Sequence, residues 1–171
     1  MTMKSKIAIF EQGLEEHPKA TIILSNLVMA LWIALGTIAC WFLYPLLGWL
    51  YLATALIMVG VVLRKLVCTN CYYYGKLCGT GWGKLAALFF KEGEMEKFST
   101  SIGVKLAPLT YGLLSLIPIV LVVISIIMEF TVFKIIVLAL LLLVSVYSGF
   151  LSRKKGCANC KMKLACPGSV S

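Results

Sequence analysis

The chain has 171 residues, of which 61% are hydrophobic and 13% charged, and it carries a net charge of +9. A water-soluble fold of this size cannot hide that much apolar surface, so composition selects an integral membrane protein. The basic residues flank the apolar runs, which assigns them to membrane orientation and excludes a specific nucleic-acid partner.

Residues 1–19 mix charges with a short apolar stretch and lack a small-residue cleavage site, so they do not read as a secretory signal. Ile7, Phe10 and Leu14 share a helical face, which predicts a short amphipathic helix on the membrane surface. His17-Pro18 ends it. Residues 20–43 carry no charge and are long enough to cross a bilayer. Tyr44-Pro45 reverses the chain, and residues 46–63 return uncharged as far as Arg64. Trp41, Tyr44, Trp49 and Tyr51 gather at this turn as an aromatic belt.

A polar stretch follows, with the first cysteine motif at 68–78. Cys78-Gly79-Thr80-Gly81-Trp82-Gly83-Lys84-Leu85 has the look of a phosphate loop but lacks its first glycine and its Ser/Thr, and reads as a flexible connection. Trp82, Leu85, Leu88 and Phe89 recur at helical spacing, which predicts a second interfacial helix ending near Gly93. Residues 106–128 form the third span, kinked at Pro118. Glu129 and Lys134 bracket a turn, and residues 131–151 form the fourth span. The tail holds the second cysteine motif at 157–166.

The two motifs match. Arg64-Lys65-x-x-Cys68-x-Asn70-Cys71 reappears 89 residues later as Arg153-Lys154-x-x-Cys157-x-Asn159-Cys160, and each copy directly follows an apolar span. The expected fold is an all-α membrane protein of four spans arranged as two tandem hairpins. Residues 1–83 form the first repeat and 84–171 the second, related by a parallel internal duplication. Pro18 and Pro108 are paired on this reading. Of the sixteen Lys and Arg residues, only Lys134 falls in a hairpin turn. The positive-inside rule therefore predicts a multi-pass protein of the plasma membrane with both termini and both motifs cytoplasmic.

Cytosolic thiols stay reduced, so six of the seven cysteines are candidate ligands: Cys68, Cys71, Cys78, Cys157, Cys160 and Cys166. Two residues between cysteines let the chain turn so that both thiolates reach one centre, and a third cysteine can close the site. The adjoining basic residues are expected to favour thiolate, and thiolates select soft metals. Cys40 lies apart, as a small buried apolar residue. Each triplet is one ligand short of four, and His17 is a candidate additional ligand. The spacing of Cys157, Cys160 and Cys166 is similar to the last three ligands of the iron–sulfur loop in some DNA glycosylases. That resemblance covers the spacing alone.

The leading expectation is a membrane-bound iron–sulfur protein with two centres. It would transfer electrons or serve as a small subunit of a larger membrane redox complex, with an acidic soluble redox protein as partner. A structural zinc scaffold and a metal or solute transporter are the alternatives. The spans lack intramembrane histidines for haem and central ionisable residues for a pump. The two triplets are expected to form separate sites, because the tail motif has few constraints from the rest of the chain.

Overall fold

The structure is a computed structural model that describes residues 9–169. Every element among them is helical. Four helices are long and apolar enough to cross a membrane: α1 (Lys19–Trp41), α2 (Pro45–Asn70), α4 (Ile102–Met128) and α5 (Val132–Ala158). A short helix, α3 (Trp82–Phe89), lies between the second and third. The spans fall where the apolar runs place them, but three are longer than their uncharged stretches. α2 runs past Arg64 to Asn70 and α5 past Arg153 to Ala158, because Arg, Lys and Leu are good helix formers and no proline intervenes. α4 begins at Ile102, capped by the Ser101 hydroxyl, which accepts from the Val104 amide at 3.4 Å. Pro108 is therefore inside a helix whereas Pro18 precedes one, and the two do not correspond.

Helix α1 packs against α2, α4 and α5, and α4 pairs with α5. Trp32, Leu35, Ala39, Tyr51, Ala55, Val59, Val122 and Leu141 form the core. Outward positions such as Ile23, Leu27, Leu46, Leu50, Leu116 and Leu143 are apolar and exposed, as lipid contact requires. Trp41 and Trp49 meet edge to face at 5.7 Å on the surface of the first turn. Tyr51 leaves the expected belt and turns inward, and a Cβ on Gly36 would collide with its ring. Its hydroxyl donates to the Leu114 carbonyl at 2.8 Å. That carbonyl is the one Pro118 deprives of its helical partner four residues on. Lys134, in the second turn, is buried. It donates to the Ser125 and Glu129 carbonyls at 3.2 and 2.9 Å and pairs with the Glu129 carboxylate at 3.4 Å, neutralising the end of α4.

Both motif-bearing helices widen to π geometry just before their Arg-Lys pair, at Met58–Val62 and Tyr147–Ser152. These segments begin 89 residues apart and contain Gly60 and Gly149, which also differ by 89. The N-terminal segment departs from expectation. Residues 9–17 are turns and bends lying on the cysteine motifs, not a surface helix. Ile7 of that predicted helix lies outside the described residues. Helix α3 exists but ends at Phe89, with Leu85, Leu88 and Phe89 exposed.

Candidate metal centre in the cysteine cap

At one end of the bundle the N-terminal segment, the 71–101 connection and the tail fold into a single cap. Both motifs make the same turn. The Cys71 amide donates to the Cys68 carbonyl at 3.3 Å and the Tyr74 amide to Cys71 at 2.9 Å. Eighty-nine residues on, Cys160 donates to Cys157 at 3.2 Å and Lys163 to Cys160 at 3.1 Å. The Tyr73 amide donates to the Cys71 sulfur as the Met162 amide does to Cys160, and Tyr73 and Met162 are both almost fully buried. Small clearances hold the first motif in place. A Cβ on Gly83 would strike the Tyr73 carbonyl, and Gly81 takes φ 72° to start α3.

Residues 9–17 stitch the two motifs together. Phe10 donates to Lys161 at 2.9 Å, Leu14 to Asn159 at 3.0 Å and His17 to Leu77 at 2.9 Å, all through backbone amides. The Tyr73 hydroxyl sits at the seam, donating to the Leu14 carbonyl at 2.6 Å and accepting from the Lys161 amide at 3.1 Å. Glu15 bridges the same elements. It accepts a short hydrogen bond from Lys161 and one of 2.7 Å from the Tyr72 hydroxyl, and it pairs with Lys76 at 3.5 Å. Those bonds, with Lys161 foremost, hold the Glu15 carboxyl down at about 2. The tail is thus well constrained, against expectation, and Arg153 secures it further by donating to the Gly168 carbonyl at 2.8 Å.

This stitching brings Cys71 of the first triplet against Cys160 and Cys166 of the second. Burial pushes the Cys71 thiol up to about 12, and the neighbouring Cys160, Cys68 and Cys78 add to the effect. Burial also raises Cys160, followed by Cys157, Cys166 and Cys78. Cys71 and Cys160 pack with Cys166, Phe98, Val104 and Met162 in one apolar cluster. The expectation of thiolates favoured by basic neighbours is corrected: burial is the leading influence on Cys71 and Cys160 and favours the thiol over the thiolate. Among the described residues no three His, Cys, Asp or Glu side chains are close enough to hold a metal ion as they stand. All seven cysteines are free, and Cys40 is buried in the bundle core. His17 is buried, its ring packed beside Gly79 and 5.7 Å from the Tyr73 ring, and burial lowers its pKa.

Asn26 proves to be a loop anchor. Its amide donates to the Thr80 carbonyl at 2.9 Å, and its oxygen accepts from the Trp82 indole at 2.7 Å. The supposed flexible connection at Cys78–Gly83 is therefore pinned to α1. A lone amide in an apolar span is the sequence signal that marks such a contact.

No protein-family model matches the chain, no curated protein matches it in sequence, and no solved structure matches it in fold.

Proposed function

We propose that the chain is a multi-pass membrane metalloprotein whose cytoplasmic cap takes a thiophilic centre, with an iron–sulfur cluster for electron transfer as the leading form. One observation carries the reading. Two copies of the same cysteine turn, 89 residues apart, are folded against each other, with Cys71, Cys160 and Cys166 in one apolar cluster. The donor set fits soft metal chemistry. Cys68, Cys71 and Cys78 on one side and Cys157, Cys160 and Cys166 on the other would supply the ligands. His17 stands by the first triplet as an additional one. A shared centre draws on both triplets, which removes the shortage of a fourth ligand in each. Protonated thiols make loading a proton-releasing step, and side-chain rotation has to bring the sulfurs together. A bound cluster would supply one-electron transfer at the membrane surface.

The repeated π segment, motif turn and buried Tyr73/Met162 pair support a tandem duplication of two hairpins. The Lys and Arg distribution supports a cap in the cytosol, an N-in, C-in topology and residence in the plasma membrane. A basic cap suits an acidic soluble redox protein or an acidic face of a subunit in a larger redox complex. The outward Leu85, Leu88 and Phe89 suit a helix α3 that dips into the interface.

Anaerobic purification with iron, sulfide and zinc analysis tests the reading. Brown protein with iron and acid-labile sulfide in equal amounts is expected. Colourless protein with stoichiometric zinc would replace electron transfer by a structural clip. Protein without bound metal, and unable to take up either after anaerobic reconstitution, would remove the metal reading altogether.

A further inference from the structure

Beneath the cap, between α1, α2 and α4, lies a second feature, with Cys68 of the first triplet among its lining residues. It is a cavity of about 140 Å³ lined by Met29, Leu63, Arg64, Trp82, Ala107 and Tyr111, among others. Its walls are mostly apolar, and its one cation is Arg64. The guanidinium sits over the Trp82 ring. The Arg64 Nε is buried and has no hydrogen-bond partner. No carboxylate pairs with Arg64 among the described residues. Glu15 is taken by Lys161 and Lys76, Glu94 by Lys97, and Glu129 by Lys134. The contrast with the second motif is informative. Arg153, 89 residues on, occupies the same place in its motif and spends its guanidinium on the Gly168 carbonyl.

Arg64 is half-buried, an Nε with neither water nor a partner is costly to leave so, and a planar fork with free donors matches a carboxylate or phosphate. Trp82 holds that fork in one orientation, and Asn26 holds Trp82 through the indole nitrogen at 2.7 Å. Cation, stacking platform and anchor are therefore fixed before any ligand arrives, which lowers the ordering cost of binding. The Tyr111 side chain lines the same space.

We propose that the Arg64–Trp82–Tyr111 cavity binds an oxyanion, a phosphate or carboxylate, carried as the head of an acidic membrane amphiphile or free in solution. The proposal stands whether or not the cap holds metal.

The test uses full-length protein in detergent, titrated with phosphatidylglycerol, phosphatidylcholine or inorganic phosphate and read by native mass spectrometry. Wild type is expected to retain one phosphatidylglycerol at least tenfold more tightly than phosphatidylcholine. Arg64→Gln should lose that preference, while Lys65→Gln, an exposed cation one residue away, should keep it. Ala107→Leu fills the cavity and leaves Arg64 in place, so it should also lose the preference; it decides the matter if Arg64→Gln fails to fold. Tight binding of inorganic phosphate that both Arg64→Gln and Ala107→Leu abolish, with no selectivity between the lipids, would assign the site to the free anion. Equal binding of every ligand to wild type and both cavity variants, or binding to none of the four proteins, would overturn the site.

Discussion

Tyr51 and Pro118 illustrate how one polar atom offsets a defect inside an apolar helix. Proline removes the amide that should serve the Leu114 carbonyl, and a tyrosine from a different span supplies the missing donor at 2.8 Å. Tyr51→Phe leaves that carbonyl unpaired in the core. We expect a loss of about 1–2 kcal/mol, measured by steric-trap or thermal unfolding in detergent, and a recovery when Pro118→Ala is added, because the restored amide serves the same carbonyl. Glu15 acts at the surface. Its folded pKa of about 2 lies below the ordinary 4.5, so the tie it makes is fully present above 4.5 and is lost as pH falls through about 2. Amide exchange at Phe10 and Leu14, corrected for the intrinsic pH dependence, should rise over that window in wild type. Glu15→Gln should show the raised exchange already at neutral pH.

At the scale of the element, the spans were legible in the sequence because uncharged runs of this length have one physical solution in lipid. Their ends were less legible. A charge marks the end of a span by composition, but Arg64 continues the helix and turns its guanidinium inward, which only the packing of Trp82 reveals. The N-terminal segment looks amphipathic in sequence because Ile7, Phe10 and Leu14 share a helical face. The backbone instead bonds to Lys161 and Asn159, and that tertiary pairing overrides local periodicity. The repeated cysteine motif is legible in the sequence, whereas the packing of its two copies against each other is not, since it depends on Tyr73 and Glu15. The π segments make an element-scale prediction. Each absorbs an extra residue, so deleting Gly60, whose absent side chain faces open space, should return α2 to plain α geometry with its two flanks still aligned. Deleting Ala53 from the α portion turns the motif by about 100° relative to the core. Oxidative linking of Cys71 to Cys160, in a chain whose other five cysteines are serine, should survive the first deletion and fail in the second.

At the scale of the whole molecule, the two triplets form one cap, and the expected effect of a single ligand change follows. Cys71→Ser and Cys160→Ser should each remove most of the bound metal while helical circular dichroism stays intact. Retention of half the metal in either variant would restore two independent sites. Orientation is tested in intact cells with a membrane-impermeant maleimide. Tyr44→Cys and Val132→Cys, both exposed in the hairpin turns, should label, and Leu164→Cys in the cap should not. Label at Leu164→Cys would place the cap outside the cell and remove the argument from a reducing cytosol.

The seam between Phe10 and Lys161 also sets an order of events during synthesis. The first cysteine turn leaves the ribosome some ninety residues ahead of its twin, and the strip that joins them precedes both. Until the last helix has entered the bilayer, that strip has only half its partners and Tyr73 has no Lys161 amide to meet. An early metal ion would meet three sulfurs and an unfinished pocket. On the proposed function, loading would follow translation, and a chain arrested between the two motifs should be inserted in the membrane yet unable to retain a metal centre.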